Sequence, residues 1–104
     1  MSEQISELTY RAHKIAVEHG FWLGHNPNDP IVVLAKLALI ASEVGEAVEA
    51  TRDSALRYKF GEELADIVIR VFDLAEASSI NLEREIINKI VKNENRPMMH
   101  GKLA

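Results

Sequence analysis

Between Ile31 and Ala41 the chain carries one polar residue, Lys36, inside a segment that reads as helix from Pro30 to about Arg52. Stepping residues at about 100° around a helix gathers Leu34, Leu37, Ile40, Val44 and Val48 into one wide stripe. Val32, Leu39, Ala47 and Ala50 fall on another face. A helix apolar on two sides needs neighbours on both, and a chain of 104 residues supplies few. The segment therefore predicts a helical bundle in which a second subunit covers part of this helix. The most apolar run, about a dozen residues interrupted by Lys36, is too short to span a bilayer.

Turn formers cluster at a few points and delimit the other elements. Ile5, Leu8, Ala12 and Ile15 recur at alternating three- and four-residue steps, predicting a first helix from about Ser2 to His19, ended by Gly20. Gly20 to Asp29 reads as an ordered loop, after which Asp29 caps and Pro30 opens the second helix. Asp53 to Tyr58 reads as a connection, and Gly61 as a weaker break. A third helix covers roughly Phe60 to Ala77, and Ser78-Ser79 breaks it. Asn81 is placed to cap a fourth, with Glu83 and Glu85 in its first turn, ending near Arg96 before Pro97. Residues 97–104 show no periodicity, and no strand is predicted. The reading is one all-α, four-helix domain over residues 1–104.

Sixteen acids against twelve Lys and Arg give a net charge of −4. Without a basic block the chain is a poor nucleic-acid binder, because phosphate backbones demand clustered Lys and Arg. Cysteine is absent, which removes disulfides, thiolate metal sites and cysteine nucleophiles. Met1-Ser2-Glu3-Gln4 lacks the basic and apolar regions of an export signal, so the expected compartment is the cytoplasm and no membrane partner is expected. P-loop, dinucleotide-binding and nucleophile-elbow signatures are missing.

The acids are patterned. Glu43 and Glu46 lie three apart on the second helix, and Glu63 and Asp66 repeat that spacing on the third, so each pair projects from one face. Their settings match: Glu43-Val44-Gly45-Glu46-Ala47-Val48 against Glu63-Leu64-Ala65-Asp66-Ile67-Val68. Two antiparallel helices would oppose one pair with the other. Four close carboxylates are unstable unless protonated or neutralised by cations. Hard divalent cations take oxygen ligands, and Mg²⁺ completes its shell with waters and substrate phosphates. The chemistry that follows is metal-assisted attack on phosphorus. A di-iron bundle would pair each Glu with a His at i+3; here those positions are Glu46 and Asp66.

In these residues the chain resembles the MazG-like all-α nucleoside triphosphate pyrophosphohydrolases, a group that includes dimeric dUTPases. Glu-x-x-Glu on one helix and Glu-x-x-Asp on the next are matched by Glu43, Glu46, Glu63 and Asp66. The likeness extends to Gly20-Phe21-Trp22, to Lys36-Leu37-Ala38-Leu39-Ile40, to Asp66 through Asp73, and to Lys89-x-x-x-Asn93-x-x-Arg96-Pro97. It implies a MazG-like bundle completed by homo-oligomerisation, as a homodimer or homotetramer with nucleotide sites at subunit boundaries. It also implies Mg²⁺, with Mn²⁺ as a substitute, and cleavage between the α- and β-phosphates to a nucleoside monophosphate and pyrophosphate. The expected role is removal of unwanted nucleotides from the pool.

Other residues are candidates for substrate contact. Lys36, seven residues before Glu43 on the same face, either reaches a phosphate tail or snorkels from an apolar helix. Lys89, Asn93 and Arg96 form one stripe on the fourth helix, a solvated face by itself and a phosphate contact by the resemblance. Trp22 offers a stacking surface for a base, or plugs the bundle end. Asn26, Asn28 and Asn81 read first as turn and cap residues. Arg70 is expected to pair with Asp66 or Asp73. The four histidines form no paired ligand motif; His25 and His100 lie in loops open to substrate. The competing class is a non-enzymatic helical oligomer, an interaction or regulatory module whose acids hold a structural cation.

Overall fold

A computed structural model describes residues 3–97. Four α-helices make up the described chain: α1 (Glu3–Glu18), α2 (Pro30–Arg52), α3 (Phe60–Ala77) and α4 (Leu82–Glu94). No strand is present among the described residues. The periodic segments thus fold as their spacing predicts, and differences are confined to their ends. Asp53–Tyr58 is not an irregular connection but most of a 3₁₀ helix (Ser54–Lys59), started by the Asp53 side chain accepting from the Ala55 N–H at 2.9 Å. Gly61 breaks nothing, since it lies in the first turn of α3. α4 ends at Glu94, two residues before Arg96. His100 and the predicted irregular tail after Pro97 lie outside the described residues.

Local chemistry explains where the helices stop. Gly20 (φ +83°) ends α1 in a Schellman arrangement: its N–H bonds to the Val17 carbonyl and that of Phe21 to the Ala16 carbonyl. Asp29 caps α2 by accepting the Ile31 N–H at 2.9 Å, with Pro30 in the first turn. Ser79 closes α3 by the same device as Gly20, at φ +57°, with the Ser79 and Ile80 N–H groups on the Glu76 and Ala75 carbonyls. Asn81 caps α4 through the Arg84 N–H. The Glu83 carboxylate then reaches the first turn of α1, accepting from the Ser6 N–H at 3.1 Å. That contact satisfies one of the N–H donors a helix start leaves unpaired.

α3 is the central element, with α1 against one side and α2 against the other; α4 packs lightly on α1 and α3. Both flanking helices run antiparallel to α3. Ser6 of α1 meets Glu83, just past the end of α3, and His13 meets Asp73; on α2, Glu43 pairs with Arg70, while Glu46, one turn later, feels Glu63 more than Asp66. The buried apolar residues are small apart from Phe72: Ala12 and Ala16 on α1, Ala47 and Ala50 on α2, Ala75 on α3. Small side chains let backbones approach closely. On α2 this decides which apolar face turns inward. The Ala47/Ala50 end of one face packs on α3, with Leu39 of that face 41% exposed; of the bulkier stripe Ile40 is half-buried, and Leu34, Leu37, Val44 and Val48 stay 41–64% exposed.

The result is an open layer rather than a closed ball. Its radius of gyration is 16.0 Å, against about 13 Å for a compact chain of this length. Its accessible surface is 7962 Å² at 11.7 kDa, against about 5,900 Å² for a folded monomer of that mass. No described helix is long and apolar enough to cross a membrane.

Candidate metal centre

The inner face of α2 also carries Glu43, and the first two turns of α3 carry Glu63 and Asp66. An acidic first turn suits the positive end of the α3 dipole. The antiparallel packing brings these three carboxylates together, with one oxygen from each inside a mutual distance of 4.8 Å. Oxygens around an octahedral Mg²⁺ stand about 3–4 Å apart, so small rotamer changes would close the trio on an ion. Oε2 of Glu63 is buried and accepts no hydrogen bond. A buried acceptor without a partner is costly, and a cation is the simplest remedy. The trio therefore fits a divalent metal of the hard, oxygen-liganded kind.

Glu46, the fourth acid of the sequence pattern, is exposed and is not one of the three. It still senses them. Its pKa is raised above the ordinary 4.5, first by the hydrogen bond its protonated carboxyl shares with Glu43, then by the negative charges of Glu43 and Glu63. Burial and Asp66 add smaller increments in the same direction.

Arg70 does not pair with Asp66 or Asp73. Its Nε donates across the helix interface to Oε1 of Glu43 at 2.7 Å, and the Glu43 side chain is 13% exposed. Asp73 is engaged elsewhere, which explains the difference. It accepts the Trp22 indole N–H at 2.8 and 3.1 Å and lies 2.7 Å from Nδ1 of His13. Because a carboxylate only accepts, Nδ1 is the protonated nitrogen. The His13 and Trp22 rings meet edge to face at 5.8 Å. On the other side, Nζ of Lys36 lies 4.3 Å from the Trp22 ring centroid and donates to the Phe21 carbonyl at 2.7 Å.

Sequence reasoning gave neither His13 nor Asp73 a site role. The signal available was that Asp66, Arg70 and Asp73 recur at four- and three-residue steps and share one face of α3. In this arrangement Trp22 and Lys36 fasten the Gly20–Asp29 loop to α3 and α2, one by its indole N–H and the other by its ammonium group.

Beside the trio lies a cavity of about 150 Å³. Glu43, Asp66, Arg70 and Asp73 form its polar side, and Ala12, Ile15, Ala16, Phe21 and Ile69 its apolar side. Lys89, Asn93 and Arg96 do not line it. Lys89 on α4 and Arg96, just beyond its end, are exposed, and Asn93 is half-buried with an unpartnered Oδ1. Asn26 caps its own turn through the Asn28 N–H, as loop asparagines do, and His25 is exposed. No protein-family model matches the chain, and no curated protein or solved structure matches it significantly.

Proposed function

We propose that the protein is a divalent-metal-dependent nucleoside triphosphate pyrophosphohydrolase of the MazG-like kind, releasing a nucleoside monophosphate and pyrophosphate. The observation that carries this reading is the meeting of Glu43, Glu63 and Asp66 from two consecutive helices, with Oε2 of Glu63 buried and unpartnered. Glu43, Glu63 and Asp66 would hold Mg²⁺, or Mn²⁺ in its place, with Glu46 at the margin. When bound, the ion supplies charge stabilisation at phosphorus and orientation of the attacking water. An acid beside the trio would take the water's proton, and Glu46, one turn after Glu43 at the margin of the site, is a candidate. The adjacent cavity offers the apolar part of a nucleotide a wall of Ala12, Ile15, Phe21 and Ile69. Lys89, Asn93 and Arg96 stand apart from that cavity within one chain, so their part in phosphate binding requires a second copy to bring α4 to the site.

The exposed stripe of α2 supports such a copy. The surface in excess of a folded monomer's, about 2,000 Å² by the mass scaling, is of the order that an obligate dimer buries. The proposed state is a homodimer or homotetramer in the cytoplasm, acting on free nucleotides and not on nucleic acid.

The test is product analysis over a panel of ribo- and deoxynucleoside triphosphates with Mg²⁺. Equimolar monophosphate and pyrophosphate are expected, with Glu43→Gln and Asp66→Asn lowering turnover at least about 100-fold, as loss of a ligand-sized electrostatic contribution does. Full-rate turnover in Glu43→Gln removes the proposed site. A Mg²⁺-dependent rise in melting temperature with no turnover on any triphosphate points instead to the non-enzymatic module.

A further inference from the structure

The Arg70–Glu43 contact places a positive group on one of the three carboxylates that a cation needs. We propose that Arg70 is an internal counter-ion competing with the metal for Glu43, so that cation and phosphate bind cooperatively: an arriving phosphate takes the guanidinium and frees Glu43. The phosphate half of this inference rests on the pyrophosphohydrolase reading; the competition half rests only on the acidic trio.

Three observations support it. First, the contact is a short charge-assisted hydrogen bond of 2.7 Å between two partly shielded side chains, 13% exposed for Glu43 and 35% for Arg70. Such bonds are about twice as strong as neutral ones. A cation arriving alone must break it and then sit beside the displaced charge. Second, the trio is unevenly compensated. Glu43 has Arg70, whereas Glu63 keeps a buried oxygen with no partner and neither Glu63 nor Asp66 has an ion pair among the described residues. Third, Arg70 lines the same cavity as Glu43 and Asp66 and is the one cation among its described lining residues. Lys36, a base of α2, does not line the cavity and is held by the Phe21 carbonyl and the Trp22 ring. A phosphate entering that cavity therefore meets Arg70, whose planar fork matches its oxygens. Asp73 offers no alternative berth for the guanidinium, since His13 and Trp22 occupy it.

Arg70 on this account is a positioning residue, and metal affinity is the readout that a merely structural role would leave alone. Mn²⁺ is titrated into the full chain, with the free ion followed by electron paramagnetic resonance, with and without inorganic phosphate and with matched phosphate blanks. In the wild type, phosphate is expected to tighten Mn²⁺ binding, and Mn²⁺ to tighten phosphate by the same factor. In Arg70→Gln, Mn²⁺ alone is expected to bind about tenfold tighter, as removal of one nearby charge predicts, and phosphate to lose its enhancing effect. Arg70→Lys, which keeps the charge without the fork, is expected to fall between the two.

Mn²⁺ affinity unchanged or weakened in Arg70→Gln overturns the proposal. So does a wild type in which phosphate leaves Mn²⁺ affinity unaltered, a measurement that needs no variant to fold. The outcomes separate from those of the enzymatic reading. Tenfold tightening with no triphosphate turned over keeps the competition and removes the enzyme. Turnover with unaltered Mn²⁺ affinity does the reverse.

Discussion

Glu46 and Glu43 differ by one helical turn and by very different surroundings. Glu43 is shielded and paired with Arg70, whereas Glu46 is exposed and feels its acidic neighbours without a cation of its own. That difference has a pH signature. A carboxyl whose folded pKa is raised binds its proton more tightly in the folded state than in the unfolded one. Its contribution to stability is fully present below the ordinary 4.5 and is lost as pH rises through the raised folded value. The melting temperature of Glu46→Gln relative to wild type should therefore climb as pH goes from 4.5 towards neutrality, in the absence of divalent cations. Saturating Mg²⁺ should shrink the difference. Thermal melts at intervals of pH check this, and a difference independent of pH would show that Glu46 is not coupled to the trio. The acids were legible in the sequence from their spacing. Their division into three that meet and one at the margin was not, because it depends on the rotation of α2 about its own axis.

The helix boundaries follow from signals that act within a turn. Asp29-Pro30, Gly20 and Asn81 each set an end where their chemistry says, since capping needs only the neighbouring backbone. Ser79 is the informative exception. It occupies the left-handed position of a Schellman closure, where Gly is favoured and a β-carbon is strained. Ser79→Gly should stabilise the fold by about 0.5–1 kcal/mol, a rise of a few degrees in melting temperature for a domain of this size. A fall would mean that the Ser79 side chain contributes more than its backbone strain costs. The 3₁₀ helix between α2 and α3 was read only as a connection, because its hydrophobic pattern is too short to carry a period.

At the scale of the molecule, the helices form a layer centred on α3 that leaves large apolar faces uncovered. Leu34 at 64% and Leu37 at 48% exposure lie on the bulkiest of them. If a second copy covers this face, Leu34→Asp or Leu37→Asp should convert the oligomer to monomer in sedimentation and lower its stability, whereas the exposed Arg84→Ala should change neither. A wild-type monomer at micromolar concentration contradicts the covering copy. The His13–Asp73–Trp22 contacts belong to this scale too. They join residues as many as 60 positions apart, beyond anything that periodicity or capping reports.

Local rules were sufficient for the helical class, for the positions of the four helices and for placing an acid pair on each of α2 and α3. Turns, caps and periodicity are decided by near neighbours, and those are written along the chain. Tertiary packing alone decided which apolar face of α2 turns inward, that Arg70 crosses to Glu43, and that Trp22 and Lys36 fasten the loop. A helix with two apolar faces has no local preference between them, so the choice falls to the small residues that let it approach α3 closely.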